Sequence, residues 1–347
     1  MAGIRPDPII DLMEAFRRSK TMFTAVSIGV FEHLRAGAAT AHELASRCAV
    51  EREPMQRLLD ACAGLGLLEK TAGTYRNTDL ASTYLLRDSP LSLAGYILYS
   101  DKILYPMWAH LDDAVRQGSN RFEQTFGPEA KGGIFQHLLN TEELARTFFR
   151  GMHSYGTLSS PEIVRLFNLA RFRRVCDLGG GTGHLTIAAC ERYGAMEGIL
   201  FDLPRALEQS RPFVAASRAA GRIRLHAGDF FEDSLPQADL YMLSRILHDW
   251  SEERIRRLLT KTFESLPPGG GILIVEMVLD EDRLGPVSAL MQSLNMLVVT
   301  EGRERTFSEY RGLLEEAGFV NAEHRRTGAP HDGILALKPG ELRNTIG

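Results

Sequence analysis

Cysteine is scarce in this chain: four residues among 347, at positions 48, 62, 176 and 190, with no CxxC pair among them. Neither a disulfide frame nor a thiolate zinc site is built that way. Isolated thiols fit a reducing compartment, so a cytoplasmic location is expected. No stretch approaches the roughly 20 uninterrupted apolar residues of a membrane span, and Met1 to Pro6 lead into no apolar run with a cleavage site behind it. A basic excess is also missing. The 40 Lys and Arg stand against 44 Asp and Glu, a formal charge of -4, which offers no field for nucleic acid or an anionic membrane. Nor is there an HxxxH motif or a local His-carboxylate cluster, so no metal is expected. Internal repeats, low-complexity segments and long linkers are absent as well.

What is present is ordinary globular material, 44% hydrophobic and 24% charged. At about 150 residues per domain the length predicts about two domains. From Ile9 to Leu34 apolar residues recur at helical spacing (Ile9, Met13, Phe16, Phe23, Val26, Val30, Leu34), which predicts one or two amphipathic helices. Two short helices follow, one opening at Ala41 and one from Glu53 to Leu65, and then a small hairpin from Leu67 through Gly73 to Asn77, the outline of a winged helix. Residues 91 to about 167 read as mostly helical, so the first half is expected to be essentially all-α.

Past Ala170 the period changes. Short apolar runs at 175–178, 198–202, 223–226, 240–243 and 272–275 alternate with helical stretches, which predicts a parallel sheet covered on both faces. A last run, 334–337, follows a helix at Phe307 to Ala317 and is expected to close the sheet edge. The expected architecture is α/β, a Rossmann-like sheet with the last strand antiparallel, behind an N-terminal helical, winged-helix-like domain. The expected segments are 1–90, a helical connector 91–170, and 171–347.

The sharpest local signal is Asp177-Leu178-Gly179-Gly180-Gly181-Thr182-Gly183, directly after a predicted strand and before a helix starting near His184. Glycine admits positive φ and close backbone approach, and a helix start presents free N–H groups. A dinucleotide loop and a plain tight turn compete for this pattern. Asp177 two residues before the first glycine, and the lack of a Lys-Ser/Thr ending, favour S-adenosylmethionine as the ligand of Gly179 and Gly181. Asp202 ends the next strand, 25 residues on, where a carboxylate can take both ribose hydroxyls or merely cap a helix. After the third strand, Asp229 and Phe230 offer a carboxylate and a ring suited to an adenine, or a turn Asp and a core Phe.

Val175 to Gly183, Gly228-Asp229-Phe230-Phe231 and Ile246-Leu247-His248-Asp249-Trp250 together resemble the S-adenosylmethionine-dependent small-molecule O-methyltransferases with an N-terminal dimerisation domain. Residues 293–298, 300–305 and 279–283 are most similar to the acetylserotonin (hydroxyindole) branch and its bacterial secondary-metabolite relatives. The resemblance covers nearly the whole chain. It implies a homodimer formed through the N-terminal domain and an aromatic hydroxyl as methyl acceptor. Such a hydroxyl has a solution pKa of roughly 10, and histidine is suited to take its proton near neutral pH. His248 is the expected base. Glu276 and Glu304 match acidic positions that orient it, against readings as a helix cap and a surface ion pair. The resemblance also gives Arg245 a cofactor contact and Asp249 a substrate or local hydrogen-bond role. Trp108, Phe148, Met152, Met291 and Asn295 are the candidate acceptor contacts, with ordinary core packing as the alternative for the Met and aromatic side chains. His110, His137, His226 and His324 are expected to be structural.

Two other classes fit parts of the pattern. A ligand-sensing transcription regulator would use the winged-helix stretch, but six basic against seven acidic residues between Thr40 and Pro90 leave little for phosphates. A methyltransferase fold repurposed for decarboxylation or hydroxylation would not need His248.

Overall fold

The computed structural model describes residues 5–130 and 134–340. The N-terminal residues 1–4, read for a leader, lie outside the described residues. The chain packs as two compact units, residues 1–105 and 106–347, so the helical stretch 91–170 is shared between them.

In the first unit a helix spans Asp7–Ser27 and a short one Val30–His33. The helices Ala41–Cys48 and Arg52–Gly64 pack beside them, the former started by a Thr40–Glu43 capping box. The expected hairpin consists of β2 (Leu68–Thr71) and β3 (Thr74–Asn77). A third strand not anticipated from sequence, β1 (Ala39–Thr40), pairs with β3. Val30, Phe31, Leu44, Met55, Leu59 and Tyr75 form the buried centre of this unit. The first two turns of the long helix keep their apolar face in solvent: Ile9, Leu12, Met13 and Phe16 are all more than half exposed.

The second unit is built on β4 (Arg174–Leu178), β5 (Glu197–Asp202), β6 (Ile223–Ala227), β7 (Leu240–Ser244), β8 (Gly271–Glu276), β9 (Val320–Arg325) and β10 (Asp332–Leu337). Their order in the sheet is β6-β5-β4-β7-β8-β10-β9. The first five are mutually parallel, and β10 runs antiparallel to both β8 and β9. The expectation that 334–337 closes the edge is therefore corrected, since β10 is inserted inside and β9 is the edge. An edge strand needs no apolar run. Val-Asn-Ala-Glu-His-Arg leaves most of its side chains in solvent, so periodicity gave no sign of it.

Alternation along the central strands sends Cys176, Leu178, Tyr241, Leu243, Ile272 and Ile274 to one face. Val175, Leu240, Met242, Leu273 and Val275 go to the other. The helices Glu252–Ser265 and Phe307–Glu316 cover the first face, through Ile255, Leu258, Leu259, Tyr310, Leu313 and Leu314. The helices His184–Arg192, Pro204–Ala216 and Ser160–Leu166 cover the second. Every residue of β8 is buried. At about 1.5–3 kcal/mol per fully buried aliphatic side chain, this strand fixes the sheet centre and with it the loops at its carboxyl end.

Candidate active site

The glycine loop leaves β4 at the carboxyl edge of the sheet. Gly179 has φ +67°, a left-handed backbone that favours glycine, and a Cβ there would press on Ile246 Cδ1 at 2.6 Å and Phe230 Cε1 at 3.1 Å. The loop is tied down from both sides. Asp202 Oδ2 accepts the Gly181 N–H at 2.8 Å, and its Oδ1 accepts the Leu203 N–H at 2.7 Å. Asp177 lies beneath the loop, nearly inaccessible, with Oδ2 accepting from the Thr186 hydroxyl at 2.7 Å and Oδ1 without a partner. Burial pushes Asp177 up to about 7 and Asp202 to about 6, Gly181 and Leu203 N–H pulling the latter back down. Asp229 Oδ1 caps its own turn by accepting the Phe231 N–H at 2.8 Å. Phe230 meets Phe231 and Trp250 edge-on.

Beyond β7, the turn Leu247–Asp249 presents His248. The backbone of this turn hangs on Glu276, the last residue of β8. Its Oε1 accepts the N–H groups of Ile246 at 3.0 Å, Leu247 at 2.9 Å and His248 at 3.4 Å. The imidazole Nδ1 is 2.6 Å from Glu304 Oε1 and 3.2 Å from Glu276 Oε2. Both glutamates are fully buried, so a surface ion pair for Glu304 is excluded, whereas Glu276 does cap backbone amides. Glu304 comes from the loop before the helix Phe307–Glu316, and that loop packs directly on the turn. A Cβ on Gly302 would lie 2.0 Å from the His248 carbonyl oxygen.

Burial raises the proton affinity of both acids, Glu276 to about 7 and Glu304 to about 8. His248 pulls Glu276 down, and Arg245 and Arg305 pull Glu304 down. Asp249 is raised to about 7 for the same reason, and its Oδ1 stands 3.7 Å from His248 Nε2, too far for a hydrogen bond. Nδ1 is thus the nitrogen engaged by Glu304.

His248, Glu276 and Glu304 bring their ligating atoms within 4.8 Å of one another. No local motif announces this grouping: three segments, each 28 residues from the next, assemble it. In it, Glu276 Oε1 serves backbone amides and Glu304 Oε1 serves the imidazole.

Of the remaining sequence candidates, Arg245 adopts φ +59° and places its guanidinium 3.0 Å from Met152 Sδ and over the Tyr155 ring. Trp108 Nε1–H donates to Asn295 Oδ1 at 2.8 Å, which joins those two. Phe148 contacts the rings of Phe135 and Phe149, and Phe135 in turn meets Trp250. Met291, one turn before Asn295, is 46% exposed. His137 packs on Phe122 and Phe126, His226 on Phe201 and His324 on Phe307, while His110 Nδ1 lies 3.3 Å from Gln124 Nε2.

Sequence reasoning missed Ile246, which abuts Gly179, and Phe149 and His153, which reach Gly181 and the Thr182 hydroxyl from one face of the helix Glu142–Gly156. Their i, i+4 spacing reads as core packing. Only the fold shows what it packs against.

Residues 108–320 match the O-methyltransferase domain family, and residues 10–87 match the O-methyltransferase dimerisation domain family. Acetylserotonin O-methyltransferase of Gallus gallus is 40% identical over 339 residues, covering 96% of this chain and 97% of that protein. A probable bifunctional dTTP/UTP pyrophosphatase/methyltransferase protein of Homo sapiens is also 40% identical over 96% of this chain, which spans only 54% of that longer protein. The crystal structure of human N-acetylserotonin methyltransferase in complex with SAM superposes with a TM-score of 0.92 at 36% identity, over 97% of this chain and 99% of that one. This chain belongs to the O-methyltransferase family.

Proposed function

We propose that this protein transfers a methyl group from S-adenosylmethionine to the hydroxyl of a small aromatic molecule, a phenol or hydroxyindole, with His248 as general base. The observation that carries this reading is the imidazole held through Nδ1 by Glu304 at 2.6 Å, which leaves Nε2 available, in a chain of this family. The residues present fit the cofactor. A loop that turns left-handed at Gly179, with Gly181 beside it, lies between Asp202 and the Asp229-Phe230 pair, which offer carboxylates for hydroxyl and amino groups and an aromatic face. When bound, S-adenosylmethionine brings a sulfonium-activated methyl group and leaves as S-adenosylhomocysteine. No metal is required of His248, Glu276 and Glu304 in this scheme.

His248 Nε2 takes the hydroxyl proton as the acceptor oxygen forms its bond to the methyl carbon. Once Glu304 has given up its proton, the Nδ1–H donates to its buried carboxylate, which stabilises the imidazolium. Glu276 holds the turn so that the ring cannot swing away. Asp249 meets a polar group of the acceptor beside the reacting oxygen. Trp108, Phe148, Met152, Met291 and Asn295 shape the acceptor site, and a dry, aligned site is most of what direct transfer requires.

A second copy of the chain is the partner that the exposed stripe Ile9, Leu12, Met13 and Phe16 asks for, in keeping with its dimerisation domain. Among the described residues no helix is long and apolar enough to cross a membrane, and the four cysteines are free, which fits a cytoplasmic homodimer.

The test is calorimetry with S-adenosylmethionine and S-adenosylhomocysteine, followed by a labelled-methyl screen over N-acetylserotonin and a panel of phenols. Label on one aromatic hydroxyl is expected. His248→Ala should keep cofactor affinity and lower turnover by roughly 100-fold or more. Unchanged turnover with weakened cofactor binding would remove His248 from the role of base.

A further inference from the structure

His331 immediately precedes β10. Because β10 runs against β8, its beginning lies at the sheet edge where the parallel strands end, and Asp332 is registered opposite Glu276. This topology delivers His331 to the catalytic side of the sheet. Its side chain is 2% exposed, and its ring meets Tyr155 edge-on at 5.2 Å, while the Arg245 guanidinium lies 5.6 Å from the centre of that same tyrosine ring.

Ser159 sets the tautomer. Its Oγ accepts the His331 backbone N–H at 3.1 Å and lies 3.0 Å from Nδ1. If Nδ1 carried the proton, both the buried serine O–H and Nε2 would lack a partner. With the serine donating to Nδ1, the imidazole proton sits on Nε2 and only that one group is left over. Nε2 is buried and has no partner among the described residues. Desolvation, with Arg245, His184 and His248 facing the ring, holds the imidazole neutral.

Arg245 is in a complementary condition. It keeps a left-handed backbone, unfavourable for a residue with a Cβ, and among the described residues its half-buried guanidinium forms no ion pair, although Asp249, Glu276 and Glu304 lie within its field. A fixed neutral donor and an unpaired cation thus share one aromatic spacer.

We propose that His331 Nε2–H and the Arg245 guanidinium together bind a carboxylate, that of the amino-acid end of S-adenosylmethionine. This rests on the methyltransferase reading above. His331 acts in binding, not in proton transfer.

The experiment compares calorimetric Kd values for S-adenosylhomocysteine and for its decarboxylated analogue. His331→Phe preserves the edge contact with Tyr155 and removes the donor. It should weaken S-adenosylhomocysteine about 10-fold, as expected for a buried hydrogen bond to a charged group, and leave the decarboxylated analogue within about twofold. His331→Gln, which retains an N–H donor, should recover most of the loss. Equal weakening of both ligands, or no weakening of either, overturns the proposal. Should His331→Phe fail to fold, Ser159→Ala keeps the ring and releases its tautomer. A selective loss of about threefold for the carboxylate ligand is then expected, and unchanged selectivity overturns the proposal. Failure of the unsubstituted protein to bind S-adenosylhomocysteine would instead overturn the methyltransferase reading.

Discussion

Replacing Glu304 by Gln changes no volume, yet it is expected to disable the base. Glu304 Oε1 lies 2.6 Å from His248 Nδ1 and accepts its N–H when ionised, and Oε2 is buried without a partner among the described residues. A glutamine has two orientations here. With its oxygen toward Nδ1–H, its NH2 group takes the position of Oε2 and is buried unsatisfied, at a cost of about 1–3 kcal/mol. With the amide turned over, NH2 donates to Nδ1, and the imidazole must carry its proton on Nε2. Turned over, it is the carbonyl that is left unsatisfied there, so burial does not separate the two orientations, but in the second the nitrogen facing the acceptor hydroxyl is already protonated. The first orientation keeps Nε2 free but lacks the negative charge that stabilises the imidazolium. Together these effects predict a fall in kcat of about 100-fold to 10,000-fold, within the range found where a buried acid fixes a catalytic histidine's tautomer. The assay is labelled-methyl transfer at saturating acceptor and cofactor, with Kd for S-adenosylhomocysteine as control. Because Glu304 serves His248 and not the glycine loop, that Kd should stay within about threefold. A Glu304→Gln enzyme with kcat within threefold of the parent would refute the reasoning, and Nδ1 would not be the pinned nitrogen.

Four further outcomes follow from the same geometry. Glu276 has its folded-state pKa raised from 4.5 to about 7, so its contribution to stability is intact below about pH 4.5 and is lost as pH rises through 7. Glu276→Gln still accepts the three amides but cannot ionise. Relative to the parent it should gain about 1–3 kcal/mol between pH 5 and pH 8.5 in chemical denaturation, and a flat difference would show that the carboxyl is not strained by burial. Gly302→Ala puts a methyl 2.0 Å from the His248 carbonyl, so the turn must shift, and kcat should fall at least 10-fold with cofactor affinity nearly kept; full activity would mean the loop yields freely. Exhaustive dialysis against a chelator should leave turnover unchanged, and recovery on adding back a divalent ion would make the 4.8 Å cluster a metal site. Phe16→Glu with Met13→Glu places charge in the exposed stripe and should convert a dimer to a monomer in light scattering; an unaltered mass would move the interface elsewhere.

How much of this was legible in the sequence depended on what each feature must bury. Strands β4, β5, β7 and β8 are covered on both faces, so they had to be short apolar runs, and they were read as such. The glycine loop was legible because the positive φ at Gly179, Gly181 and Gly183 favours glycine, a constraint that composition itself displays. Edge strand β9 answers to no such demand and left no pattern. The two glutamates were placed by resemblance alone. Glu276 ends an apolar run and Glu304 sits among arginines, and nothing local says that both point at one imidazole with their charges removed from water.

His331 shows the limit most clearly. Scanning the residues that follow each apolar run finds ligand groups in a parallel sheet, because every strand ends at the same edge. That rule singled out Asp177, Asp202, Asp229 and His248 as candidates. It fails at an inserted antiparallel strand, which presents its first residues at that edge. In this fold the positions before β10 belong with the positions after β8, and Tyr155, Ser159 and Arg245 gather around His331 for that reason. A sequence reading that carried strand direction as well as strand existence would have searched both ends of the last run. Direction is settled by what the preceding helix Phe307–Glu316 and β9 allow, and β9 was the one strand of this seven-stranded sheet that hydrophobic periodicity could not supply.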